Sequence, residues 1–125
     1  GGDKQIWVAG GIGSTPFLSF LRHLKTDLAH EVHFYYTVRH PEEAVFAEEI
    51  EAIAKKHPRL KANIRFSSQH GSLTVDEIAQ NAGGNLSTHH VYMCGPLPMV
   101  QAFEKKFIEA GVRKDNVHYE EFNFK

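Results

Sequence analysis

Apolar residues along the chain fall into short β-forming runs that alternate with stretches of helical spacing. Residues 5–9 form the first run, built on Ile6, Trp7 and Val8. A glycine-rich bend over 10–15 follows. Thr15-Pro16 then opens a helix, with Thr15 as N-cap and Pro16 at the first helical position. Phe17, Leu18, Phe20, Leu21 and Leu24 recur on one face of that helix. Residues 32–38 are apolar almost throughout, the pattern of a strand covered on both sides. Pro41-Glu42-Glu43 begins a second helix, its acids suited to the positive end of the helix dipole. Val45, Phe46, Ile50, Ile53 and Ala54 supply its buried stripe, and His57-Pro58 ends it.

A third strand is predicted over 63–67. The capping box Thr74-Val75-Asp76-Glu77 then starts a short helix that runs to about Asn81. After a loop at Gly83-Gly84-Asn85, residues 90–94 read as a fourth strand turned by Gly95-Pro96. The last helix covers 98–110, with Val100, Phe103, Phe107 and Ile108 inward and Gly111 as its C-cap. A fifth strand is predicted over 116–122. Strict alternation of strand and helix implies right-handed crossovers and a parallel sheet with helices on both faces, a three-layer α/β domain.

The 125 residues, 42% hydrophobic and 23% charged, suit one globular domain with a real core and exclude a disordered or fibrous chain. Fourteen Lys and Arg against fifteen Asp and Glu leave a net charge of −1, so no strong field favours nucleic acid or an anionic membrane. The single cysteine, Cys94, excludes an intrachain disulfide and fits a reducing compartment. No apolar run approaches the roughly 18 residues needed to cross a bilayer, and no signal peptide is visible. The start at Gly1-Gly2-Asp3-Lys4, without Met, is expected of a piece of a longer protein. Nine histidines suggest metal, but no His pair at helical spacing with a Glu and no cysteine pair supports it. His89 and His90 are adjacent, so they point to opposite faces of a strand, and scattered surface histidines are the expectation.

In open parallel sheets ligands bind beyond the carboxyl ends of the strands, where strand order reverses. The first strand ends in Ala9-Gly10-Gly11-Ile12-Gly13-Ser14-Thr15-Pro16 and the fourth in Met93-Cys94-Gly95-Pro96. If these strands are neighbours, both bends face one crevice. Glycines let backbone approach a ligand, and free N–H groups at the helix start favour a pyrophosphate. A sharp turn with no ligand is the alternative. The common dinucleotide fingerprint is absent: Pro16 stands where its third Gly belongs, and the second strand ends at Arg39 rather than at an acid. Neither a Gly-Lys-Ser/Thr P-loop nor a G-x-S-x-G nucleophile elbow is present. At the other end, alternation places His118, Glu120, Phe122 and Phe124 on one face of the fifth strand and its continuation. That is either a solvated tail or an aromatic lid for a planar ligand.

The two bends and Val117-His118-Tyr119-Glu120-Glu121-Phe122, in this order and spacing, resemble the nicotinamide-nucleotide domain of the ferredoxin–NADP reductase superfamily over essentially the whole chain. Val32-His33-Phe34-Tyr35-Tyr36 with Arg39, Val91-Tyr92-Met93-Cys94-Gly95-Pro96 and Tyr119-Glu120-Glu121-Phe122-Asn123-Phe124 look most like bacterial ferric reductases and NADPH-oxidase-like membrane flavocytochromes. The resemblance implies a Rossmann-like five-stranded sheet of order 3-2-1-4-5. It also implies that residues 1–125 are the C-terminal, NAD(P)-binding half of a reductase, passing hydride from NAD(P)H to FAD held mainly by a preceding barrel domain. Carried over to this chain, Gly10, Gly11, Gly13, Ser14, Thr15 and Pro16 would line the pyrophosphate and the nicotinamide approach. Cys94 would sit beside the nicotinamide, with Gly95 and Pro96 shaping the pocket. Phe122, or Phe124 beyond it, would stack on the flavin, and Glu120 would act near the flavin edge as a proton relay or an electrostatic group.

Relatives selective for NADPH often carry Ser-Arg after the third strand, where this chain has Ser67-Ser68-Gln69-His70. Arg39, Ser68 and Gln69 remain for the adenosine or its phosphate, with Arg39 alternatively pairing Glu42 or Glu43. The expectation is NADH, or both nucleotides. The partners implied are the chain's own FAD domain and a downstream acceptor: haem, an iron–sulfur centre or a soluble molecule. The location implied is the cytoplasm, or the cytoplasmic face of a membrane through the preceding part. Two other readings stay open: a soluble ferredoxin-reductase-type component, and a non-catalytic nucleotide-binding regulatory module. A flavodoxin-like receiver is disfavoured, because no acidic cluster follows the first strand.

Overall fold

In the computed structural model the apolar runs become parallel strands, because runs apolar on both faces need cover on both sides. The structure describes residues 4–11, 14–24 and 26–121, with backbone alone at 14, 15, 120 and 121. The strands are β1 (Lys4–Gly10), β2 (Glu31–Val38), β3 (Leu60–Phe66), β4 (His89–Gly95) and β5 (Val117–Glu121). The helices are α1 (Ser14–Arg22), α2 (Ala47–Lys56), α3 (Ser67–His70), α4 (Val75–Asn81) and α5 (Leu97–Glu109). Every strand pairing is parallel, and the sheet order is β3-β2-β1-β4-β5, as the resemblance implied.

The order dictates where the helices go. Right-handed crossovers from β1 to β2 and from β2 to β3 put α1 and α2 on one face; the return to β4 and β5 puts α4 and α5 on the other. Two cores follow. On the first face Trp7, Ala9, Phe34, Tyr36 and Ile50 pack with Leu18 and Leu21 of α1. On the second, Ile6, Val8, Val91 and Met93 pack with Ile78 of α4 and with Val100 and Phe107 of α5. On the first face, among the described residues, α1 reaches only the near side of β4 and no helix lies over β5.

Several local expectations are corrected. The second helix is broken: Pro41–Glu43 is a 3₁₀ turn, and the α-helix starts only at Ala47. Glu43 turns back to accept from the His40 N–H at 2.9 Å, and Ala44 leaves helical geometry at φ −86°, ψ 60°. Val45, expected in the stripe, lies in the break and is 72% exposed. α1 begins at Ser14, so Pro16 is its third residue rather than its first, still within the turn whose N–H groups lack helical acceptors. β3 starts three residues early, at Leu60, and ends at Phe66, where the four residues of α3 follow. Ile108 is partly exposed, because α5 has only one buried face and Phe107 occupies it. The Thr74 cap forms, its hydroxyl accepting from the Glu77 N–H at 3.2 Å.

Candidate functional site

β1 and β4 are hydrogen-bonded neighbours, with Ala9 opposite Cys94. Their two glycine bends therefore lie side by side at the carboxyl edge of the sheet. A Cβ added to Gly95 would stand 3.5 Å from the Gly10 backbone N and O. The same addition at Gly10 would collide with Met99 of α5, at 2.4 Å from its sulfur, and at Gly95 with the Met99 methyl at 2.7 Å. Gly10 and Gly95 are thus small because Met99 fills the space beside both. Gly11 differs: its φ is +59°, and a Cβ there would meet nothing within 4 Å. Its glycine answers to the left-handed backbone rather than to crowding, and the space beside it is open.

Beside these bends, between α1 and the exposed side of β4 and β5, lies a groove of about 480 Å³. Trp7, Pro16, Phe17, Tyr92, Cys94 and His118 contribute to its walls. Trp7 stacks on Phe17 with centroids 5.0 Å apart, and its indole N–H donates to the Gln5 side-chain oxygen at 3.0 Å. Tyr92 stacks on His118 at 4.8 Å, and His118 lies parallel to His90 at 6.3 Å. Phe20, expected to be buried, is 55% exposed at the edge of this region, with its ring against Trp7. The groove has the size and apolar lining of a small-molecule site with few polar groups.

Cys94 is 2% exposed, at the end of β4 where the groove meets the bends. Glu120 is the register partner of Cys94, and His118 that of Tyr92, so the C-terminal strand brings its acid level with the cysteine. Gly13, Phe122 and Phe124 lie outside the described residues, and for Ser14, Thr15 and Glu120 the backbone alone is described. Pro96 precedes α5 and, with Gly95, ends β4.

Arg39, Ser68 and Gln69 lie on the same edge of the sheet, farther along it. The Ser68 N–H donates to the Arg39 carbonyl at 2.9 Å, so the ends of β2 and β3 are tied together. The alternative pairing of Arg39 is not formed. Glu43 serves the His40 N–H, and no ion pair joins Arg39 to Glu42 or Glu43. The aromatic wall of Trp7, Phe17 and Tyr92 was not legible from the sequence, where Trp7 and Tyr92 read as strand residues and Phe17 as the apolar face of a helix. Sheet order brings them to one groove, with Trp7 still 6% exposed against Phe17 and Phe34.

No group of three or more metal-ligating side chains comes together among the described residues. His89 corrects the expectation of surface histidines: it is 3% exposed, and neither ring nitrogen has a hydrogen-bond partner. Burial, then the nearby Lys4 and His33, hold its pKa below the usual histidine value. It lies at the start of β4, the opposite end from the bends. Among the described residues no helix is long and apolar enough to cross a membrane.

Residues 7–105 match the family model described as the oxidoreductase NAD-binding domain. The carnitine monooxygenase reductase subunit of Escherichia coli is 32% identical over 121 residues, covering 95% of this chain and 35% of that protein. The reductase component of propane 2-monooxygenase from Rhodococcus jostii is 30% identical, covering 94% of this chain and 35% of its own length. Among solved structures, the flavohemoglobin of Malassezia yamatoensis with bound FAD and heme superposes with a TM-score of 0.82 at 26% identity, over 97% of this chain and 32% of that one. The chain thus spans about a third of the length of the curated relatives it matches. The chain belongs to the oxidoreductase NAD-binding domain family, the nicotinamide-nucleotide unit of the ferredoxin–NADP reductase superfamily.

Proposed function

We propose that this chain binds NAD(P)H and holds its nicotinamide for hydride transfer to an FAD carried mainly by another part of a longer flavoprotein. The observation that carries this is the side-by-side placement of the two glycine bends at the mouth of an aromatic groove. Gly11, with φ at +59° and open space beside it, suits the close approach of a pyrophosphate, and α1 begins just beyond it at Ser14. The bound cofactors supply the two-electron chemistry. The residues of this chain position and shield. Cys94 presents a small, buried wall where the nicotinamide meets the flavin, and Gly95 and Pro96 keep that wall close to Gly10. Trp7, Phe17 and Tyr92 exclude water from the groove. Phe122, with Phe124 as the other choice, covers the flavin until nicotinamide displaces it, which lowers apparent affinity by the fraction of time the ring is away. Glu120, level with Cys94, holds charge or a proton at the flavin edge.

The outer part of this face supports the flavin-carrying partner, since Tyr92 and His118 present stacked rings there and, among the described residues, no helix lies over β5 on that side. The names of the relatives, reductase components of monooxygenases and a flavohemoprotein, favour an oxygenase component or a haem as the acceptor downstream. The narrower ferric-reductase or NADPH-oxidase reading rests on the sequence of β2, β4 and β5 alone. Anaerobic mixing of NADH or NADPH with the full-length flavoprotein tests the assignment. Flavin bleaching is the expected result; nucleotide binding with no bleaching would instead support the regulatory module.

A further inference from the structure

The parallel pairing of β1 with β4 stops at Ala9 opposite Cys94, one residue short of the two bends. Gly10 and Gly95 then lie side by side outside that ladder, and a Cβ added at Gly95 would stand 3.5 Å from the Gly10 backbone N and O. Met99 fills the space beside both. Its sulfur takes the place a Gly10 side chain would need, and its methyl carbon, at 2.7 Å from a Cβ added at Gly95, takes the place of a Gly95 side chain. One thioether therefore touches both bends, and its bulk sets their spacing.

Met99 has little room to withdraw. It is the third residue of α5, and its neighbour Val100 is fully buried, with the Val100 N–H donating to the Pro96 carbonyl at 3.1 Å. That turn of α5 is anchored in the second core. Gly10 is held less firmly: among the described residues it pairs in the sheet with Thr37 alone, and Gly11 follows it in left-handed geometry. Extra bulk or polarity on the Met99 sulfur is therefore relieved by moving the β1 bend away from Gly95. Access favours Met99 as well. It is half-buried, whereas Met93, the other methionine, and Cys94 are each 2% exposed.

We propose that Met99 is an oxidation site that regulates the nucleotide site, hydrogen peroxide converting its thioether to the sulfoxide and parting the two bends. The inference rests on the nucleotide reading above. The sulfur lone pair attacks one peroxide oxygen, the O–O bond breaks, and the departing hydroxide takes the remaining proton to become water. Sulfur loses two electrons and peroxide gains them. The product is larger and strongly polar, and its oxygen demands hydrogen bonds where the thioether made only apolar contacts. A pyrophosphate and a nicotinamide held by two bends lose affinity when the bends separate, since small misplacements are costly.

The test treats the full-length flavoprotein with hydrogen peroxide, places the added oxygen by fragment mass spectrometry, and measures KM and kcat for NADH. Met99 should gain one oxygen before Met93 does. KM should rise about three- to tenfold, with a smaller change in kcat and no loss of bound FAD, because the bends grip a part of the nucleotide that does not react. A general loss of structure would instead lower kcat and FAD content together. Methionine sulfoxide reductase should restore KM, and a thiol reductant alone should not. Met99→Leu, compared with its own untreated sample, should resist peroxide; if that variant does not fold, the sulfoxide reductase treatment of the wild type decides. Oxidised Met99 with unchanged KM, earlier oxidation of Met93, an equal loss in Met99→Leu, or recovery with thiol alone would overturn the proposal and leave the nucleotide site intact. If the untreated protein neither binds NADH or NADPH nor passes hydride to its flavin, the functional assignment itself falls, and this proposal with it.

Discussion

Cys94 and His89 sit at opposite ends of the same strand, and both are buried for different reasons. Cys94 lines the groove and, on the proposed function, walls the nicotinamide site, so its replacement should act on geometry. Cys94→Ala in the full-length flavoprotein should slow flavin reduction by at least about tenfold, since small displacements of a near-attack geometry are costly. Nucleotide Kd should change far less. Reduction at the wild-type rate in stopped-flow traces would remove Cys94 from the positioning role. His89 has a stability consequence. Its folded pKa is lowered by burial, so between the folded and unfolded values the unfolded chain binds more protons. Stability is therefore complete above about pH 6.5, the unfolded histidine value, and declines as pH falls below it, with a limiting slope of about 1.4 kcal/mol per pH unit for one proton. Urea unfolding at pH 7.5 and pH 5.5, chosen as roughly one unit either side of that value, should show a smaller acid loss in His89→Leu than in the wild type. Parallel losses in the two proteins would mean that other groups carry the acid sensitivity.

At the scale of elements, the contact between β1, β4 and α5 rests on Met99. Gly10→Ala forces that side chain to move and should destabilise the fold by about 1–3 kcal/mol. Adding Met99→Ala should recover part of the loss, because the collision is removed; a double-mutant cycle with no coupling would contradict the packing described. The short helix α4 depends on its cap. Thr74→Ala removes the acceptor for the Glu77 N–H and should cost about 1 kcal/mol, read as a shift of the denaturation midpoint with unchanged slope. Element type and order were legible from periodicity and from Pro, Gly and Thr signals. The break between Pro41–Glu43 and α2 was not, because a Glu three residues after His40 serves a 3₁₀ turn as well as it would begin an α-helix. α3 was missed for a related reason: four residues are too few to show a period.

For the whole molecule, the uncovered face is the feature with most consequence. A parallel sheet wound in both directions from β1 puts α1 and α2 beside β1, β2 and β3 on one face, so that among the described residues only α1 reaches β4 there and no helix lies over β5 on that side. The side chains left there, Tyr92 and His118, are aromatic and stacked. His118→Asp places a charge on this face without disturbing either core. The isolated chain should unfold within about 0.5 kcal/mol of the wild type, as for most surface changes. The full-length flavoprotein should lose FAD retention and reduction rate. Equal effects on the isolated chain and the intact protein would show that the face matters for folding rather than for docking.

Hydrophobic spacing along the chain already dictated a parallel α/β sheet, because runs apolar on both faces have no other stable use. The glycine bends were visible in the same way, since their residue types have few other roles. What neither spacing nor composition could supply was adjacency. Whether Gly10 lies beside Gly95, which partner Arg65 takes, and which aromatics line the groove are all decided by strand order and register. Such contacts join residues far apart in the chain, and only the folded sheet brings them within reach of one another.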